Sequence, residues 1–127
     1  MKNLINWLEQ SCLSSIHPNK GDFICLAALN QWREKGFSNK LVTMEVHGVS
    51  DADVLGNNPI YNNGNVVGRA TGGDYGVRLN KAIALGMVKP ELATTGQKLK
   101  IDILGKMHDA TILVESPYDP ENKLLRA

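Results

Sequence analysis

Apolar and polar positions change rhythm along this chain. Leu4, Ile5, Trp7, Leu8 and Leu13 fall close to helical spacing, which predicts a short first helix. Pro18-Asn19-Lys20-Gly21 punctuates it. Phe23, Leu26, Leu29 and Trp32 then recur at three-residue steps, the buried stripe of a second helix. Asp22 is suited to cap that helix, because its carboxylate can accept the free N–H groups of the first turn. Arg33 and Lys35 fall in the last turn, where cations suit the helix dipole, and Gly36 fits the left-handed stop.

Beyond Gly36 the period shortens. Leu41–Val46 (LVTMEV) is β-rich. Asn57-Asn58-Pro59-Ile60-Tyr61 leads into Asn62-Asn63-Gly64, a hairpin signal, and Asn65–Thr71 returns as a strand. Lys81–Val88 (KAIALGMV) is an apolar run that suits strand or helix by length; Gly86 and Pro90 favour strand. Leu99, Ile101 and Ile103 alternate with Lys98, Lys100 and Asp102. Gly105-Lys106 is the expected turn, and Ala110, Ile112 and Val114 alternate back, so the pair reads as an antiparallel hairpin with one wet face. Short strands with closely spaced turns predict a small β-barrel or sandwich.

A chain of 127 residues favours one domain with a real core. Lys plus Arg is 14 and Asp plus Glu 13, a net charge of +1, which points to neither nucleic acid nor a membrane surface. Cys12 and Cys25 do not make a disulfide framework. Asn6, Glu9 and Gln10 interrupt the N-terminal apolar positions, so no signal peptide or span is expected there and a cytoplasmic setting is.

The stretch VVGRATGGDYG, Val66–Gly76, holds four glycines. They match neither a Walker loop nor the dinucleotide fingerprint. The expected role is a backbone corner at Gly72-Gly73, joining the strand ending at Thr71 to the run at Lys81–Val88, with positive φ at one glycine or both. Tyr75 is the best contact residue of the stretch, although corner packing is the commoner role of such a ring. Arg69, just before the turn, is an outer-face charge that can face an anion in a cleft.

Other chemistry is sparse. His17, His47 and His108 have no metal-ligand spacing with either cysteine. Cys25 falls near a helix N-terminus, where a thiol pKa can drop, but small-residue packing is the commoner role. His108 and Asp109, adjacent on a strand, point to opposite faces. Asp51, Asp53, Asp74 and Glu91 read as solvated loop carboxylates.

Taken together, Asn62–Gly105 resembles the C-terminal domain of the glycine-cleavage T-protein (aminomethyltransferase) superfamily. It is most similar to the C-terminal part of dimethylglycine and sarcosine dehydrogenases. That family shows VG-x-VTSGGYG, then GKSIALGYV-x-x-E, then G-x-x-L-x-V-x-I-x-G, and often ends in P-x-YDPEN-x-x-LR. Here the ending is Pro117-Tyr118-Asp119-Pro120-Glu121-Asn122-Lys123-Leu124-Leu125-Arg126. Lys20-Gly21-Asp22-Phe23-Ile24 with Ala28-Leu29 is similar to the family's KGDFIGRDAL.

The resemblance implies a mainly β fold: a small antiparallel Greek-key barrel-like domain over 38–127, preceded by one or two helices in 1–37. It implies that the folate pocket and key aspartate belong to domains preceding this segment. Cys25-Leu26-Ala27 replaces the family's GRD, Thr71-Gly72-Gly73 loses its serine, and Asn80-Lys81-Ala82 replaces GKS. A basic residue entering the first barrel strand is linked to the folate site in some relatives, and Lys40 is its nearest match. Lysine cannot copy the bidentate fork of arginine. Lys40, Arg69 and Tyr75 are thus the candidate folate-cleft residues; no catalytic residue and no metal ligand is expected.

The function expected is that of an accessory barrel in a folate-dependent one-carbon transfer system, docking on a folate-binding domain and not catalytic alone. The alternatives are a fragment or subunit of a dimethylglycine or sarcosine dehydrogenase-like enzyme, active only when assembled, and a structural remnant without ligand. No cofactor is expected on the isolated chain, with tetrahydrofolate entering only in an assembled complex. Expected partners are a folate-binding or FAD-containing chain, or a second copy of this one.

Overall fold

The computed structural model describes residues 21–49, 52–114, 117–121 and 123–126. The helix expected over Leu4–Leu13 lies outside them. Helix α1 spans Leu26–Lys35 and buries Leu29 fully, with Leu26, Ala28 and Trp32 half-buried on the same stripe. Asp22 does not cap it. Leu26 N–H donates to the Phe23 carbonyl, so a turn separates Asp22 from the first helical residue. The cap position is Cys25, at φ 77°, and it is exposed rather than packed. Gly36 ends the helix at φ 78°, a conformation that needs glycine, and its N–H donates to the Trp32 carbonyl at 3.1 Å.

Six strands follow: β1 Lys40–Val46, β2 Pro59–Asn62, β3 Asn65–Gly76, β4 Lys81–Val88, β5 Lys98–Ile103 and β6 Lys106–Ile112. A single 3₁₀ turn, Pro90–Leu92, sits between β4 and β5, and a short helix α2, Lys123–Arg126, is the last of the described elements. The strands close into an antiparallel barrel in the order β1-β4-β3-β2-β5-β6, with β6 returning to β1 at Met44↔Ile112 and Val46↔Ala110. Strands β2, β3 and β4 are successive hairpins and β1 lies beside β4, which is the Greek-key arrangement. The barrel therefore decides between the two β architectures, barrel and sandwich.

Turn chemistry explains the hairpins. Asn63 and Gly64 both have positive φ, at 51° and 81°, as a two-residue type I′ turn requires. The second hairpin turns at Leu104-Gly105, with φ 50° and 80°, one residue earlier than the expected Gly105-Lys106. Pairing of Ile103 with Lys106 closes the ladder there. Val114 falls beyond the end of β6 and is exposed.

Alternation builds the core. Val42, Met44 and Val46 point inward from β1; Leu99, Ile101 and Ile103 from β5; Ala110 and Ile112 from β6; Ile60, Val67, Ala70, Ala84 and Val88 from β2, β3 and β4 join them, with Val54 from the loop before β2. Met44, Ile60, Ile101 and Val88 are its largest fully buried side chains.

The glycines do not form a corner. Strand β3 runs on through Gly76, and neither Gly72 nor Gly73 has positive φ. The chain reverses over 77–80, with Asn80 at φ 53°. The bend is instead absorbed by a bulge at Thr71, where the register against β4 shifts between Ala70 and Gly72. Asp74 accordingly lies on a strand, not in a loop.

Candidate functional site

Register fixes which side chains share a surface. On the outer face of β1, β4 and β3, three rows run across the sheet: Leu41–Met87–Arg69, Thr43–Leu85–Gly72 and Glu45–Ile83–Asp74. Strand β4 is thus apolar on both faces. Its inner residues Ala84, Gly86 and Val88 meet the core, while Ile83, Leu85 and Met87 lie on the other side, Leu85 exposed, Ile83 half-buried and Met87 buried. Leu85 is 42% exposed. A strand with one wet face would carry polar residues there.

Beside this stripe β3 is bare. Gly72, Gly73, Asp74, Tyr75, Gly76, Ile83 and Leu85 line an open groove of about 580 Å³. The Thr71 hydroxyl donates to the Leu85 carbonyl at 3.2 Å and ties the bulge to β4. Tyr75 stands at the groove's end, its hydroxyl hydrogen-bonded to Asn80 Oδ1. Asp74 accepts the N–H of Tyr75 at 2.7 Å.

Polar contacts surround the groove. Lys81 Nζ lies 2.9 Å from Glu45 Oε2, and His47 Nδ1 lies 3.8 Å from Glu45 Oε1. His47 Nε2 lies 3.1 Å from Thr111 Oγ1. This has the residue types of a carboxylate–histidine–hydroxyl relay. The 3.8 Å separation is beyond hydrogen-bond range, however, and the histidine lies on open surface, so the geometry does not assemble such a relay. A second groove of about 540 Å³ runs between the β2–β3 turn and the outer face of β5 and β6, where Lys100 approaches Asp109 at 3.7 Å.

The C-terminal segment is pinned to the β3–β4 turn. Arg78 donates to the Tyr118 hydroxyl at 2.8 Å, and its guanidinium lies 5.2 Å from the centre of that ring. The Asp119 carboxylate accepts the N–H groups of Lys123 and Leu124 at 2.8 and 3.0 Å, capping α2. Tyr118 and Asp119 of the PYDPEN stretch thus have structural roles.

The three sequence candidates are not brought together. Lys40 lies at one end of the β1–β4 ladder, opposite Val88, and Tyr75 at the other end of β4, opposite Ala82. The six steps along β4 between those partners are roughly 20 Å. Arg69 lies near the Lys40 end, exposed on the outer face, its Nη1 3.4 Å from Asn57 Oδ1. A folate has a hydrogen-bonding ring and an anionic tail. Tyr75's groove is lined by no cationic side chain, and within this chain Lys40 and Arg69 lie at one end of the β3–β4 sheet and Tyr75 at the other. Among the described residues, no three His, Cys, Asp or Glu side chains gather closely enough to hold a metal ion. No described helix is long and apolar enough to cross a membrane.

Sequence reasoning missed Ile83, Leu85 and Gly72 as surface features. The signal is present in Lys81–Val88, where apolar residues occupy both parities.

This barrel with an apolar outer stripe matches a known family. Residues 39–119 match the model of the glycine cleavage T-protein C-terminal barrel domain, and the chain belongs to that family. Human mitochondrial dimethylglycine dehydrogenase is 37% identical over 111 residues, covering 87% of this chain and 13% of that one. An aminomethyltransferase of Synechocystis is 35% identical over 105 residues, covering 83% of this chain and 28% of that one. The crystal structure of aminomethyltransferase T from Bartonella henselae superposes with a TM-score of 0.72 at 19% identity, over 84% of this chain and 30% of that one. That likeness supports the fold. The chain spans less than a third of each of these relatives.

Proposed function

We propose that this barrel is an accessory part of a folate-dependent one-carbon (aminomethyl or methyl) transfer system. It docks on a folate-binding partner domain and supplies no reacting group of its own. One observation carries the reading: the barrel has a complete core of its own, yet β4 also places apolar side chains on its outer face, Leu85 exposed and Ile83 half-buried. Folding alone does not call for an outward stripe on a strand already packed on its inner face. Tetrahydrofolate would be held mainly by the partner, with Lys40 and Arg69 near its edge.

The identity with dimethylglycine dehydrogenase over 111 residues favours a second reading. There the barrel is a component of an amine-demethylating assembly, and oxidation belongs to another portion.

The test is reconstitution. The Synechocystis aminomethyltransferase is cut before its matching barrel, and transfer of the aminomethyl carbon to tetrahydrofolate is followed with and without this chain. Restoration of transfer, with no turnover by the chain alone, is the expected result. Turnover by the chain alone would overturn the accessory reading, and failure to restore despite a folded truncated enzyme would count against it.

A further inference from the structure

The glycines of β3 and β4 are not alike. A Cβ on Gly73 would lie 2.8 Å from the Ile83 carbonyl oxygen and 2.9 Å from Val54 Cβ. One on Gly86 would lie 2.6 Å from Ile60 Cδ1, and one on Gly68 would collide with the Met87 carbonyl oxygen. At Gly68 and Gly73 the obstacle is backbone and glycine is needed, while at Gly86 the flexible ends of Ile60 and Met44 would have to give way. Gly72 differs: a Cβ there would meet nothing within 4 Å, and its φ is not positive. Neither backbone nor internal packing uses its missing side chain. The consequence lies outside, where Gly72 leaves the groove floor as bare backbone beside Leu85, with Tyr75 at one end.

Strand β4 is paired on both sides, whereas β3 pairs with β2 only as far as Arg69, so that Gly72–Gly76 pair with β4 alone among the described strands. The groove itself lies on the sheet's face rather than along that edge, and an occupant there meets it through side chains. The floor is apolar, and the exposed rim carboxylate is Asp74. In the Bartonella aminomethyltransferase this fold makes up 30% of a single chain, so there the barrel is tied to a larger body.

Resting on the accessory reading above, we propose that the Gly72 groove is the docking seat. It receives an apolar side chain from the folate-binding partner domain, with a cationic or N–H donor beside it for Asp74. Size selectivity follows, because any side chain at position 72 fills the seat.

The test is a binding titration between the full chain and the Synechocystis aminomethyltransferase cut before its matching barrel. Wild type is compared with Gly72→Leu and Leu85→Gln, and with Leu104→Ser in the opposite hairpin as a control; thermal melts confirm folding. The expected result is binding by wild type and Leu104→Ser, weakened at least about tenfold in Gly72→Leu and Leu85→Gln, with melting midpoints unchanged. Equal binding by all four folded proteins would overturn the seat while leaving the accessory role intact. No binding by wild type would remove the accessory reading and the seat with it. A wild-type dimer in sizing runs, lost in Gly72→Leu, would assign the groove to a second copy and overturn the proposed occupant.

Discussion

Three glycines within six residues of one strand fall under two different constraints. Gly68 and Gly73 stand where the neighbouring strand's backbone leaves no room, and Gly72 stands over open space. Gly73→Ala should lower stability by about 1–3 kcal/mol, because Ile83 and Val54 must shift in a packed barrel. Gly68→Ala should cost at least as much, since the obstacle is backbone. At Gly72 the same substitution should fall within about 0.5 kcal/mol of wild type or gain slightly, since alanine stiffens the unfolded chain. Urea unfolding of the three variants separates the cases, and a Gly72→Ala loss equal to that of Gly73→Ala would contradict the assignment. Composition could not order these residues. Gly72 and Gly73 are neighbours in sequence, but the bulge at Thr71 sends one outward and the other against β4. A reading without that register sees a glycine cluster and expects a corner.

Elements show the opposite balance, with most strands readable and their ends less so. The alternation of Leu99, Ile101 and Ile103 fixes the inner face of β5 because a period of two leaves one arrangement that buries all three. Asn63-Gly64 fixes its turn because two positive φ values are needed and those residues supply them. Leu104 carries no turn signal, for the converse reason. An exposed leucine at φ 50° is unfavourable by itself and is held there by pairing of Ile103 with Lys106. Leu104→Asn should therefore stabilise the hairpin by roughly 0.5–1 kcal/mol, read as a raised denaturation midpoint with unchanged slope. A lowered midpoint would show that Leu104 makes a contact that matters more than its backbone strain. At the chain end, Asp119→Ala removes the carboxylate that accepts two N–H groups of α2. The expected outcome is faster amide exchange at Lys123 and Leu124 with little change in global stability, because α2 is a four-residue element. The groove, by contrast, was not readable. It is assembled from outward positions of β3 and β4, whose adjacency depends on pairing and on one bulge.

At the scale of the whole molecule, every strand contributes to one core, so the barrel should open as a unit. Met44, Ile60, Val88 and Ile101 come from β1, β2, β4 and β5 and are fully buried. Ile101→Ala should cost about 2–5 kcal/mol through lost burial and the cavity left behind. Helix α1 stands apart from this cooperative unit. Leu29 is its one fully buried residue, and that residue is not a member of the barrel's core cluster. Its cap position has no side-chain hydrogen bond, and Cys25 holds an unfavourable left-handed conformation there. Local opening of α1 therefore exposes little apolar surface compared with opening the barrel. Native-state hydrogen exchange should show the hydrogen-bonded amides of α1 exchanging at least about tenfold faster than those of Leu99–Ile103. The strands should share one opening free energy, lowered together by Ile101→Ala, while α1 responds less because its local opening leaves the barrel closed. Exchange in α1 as slow as in β5, falling in step with it in the variant, would show instead that helix and barrel form one cooperative body.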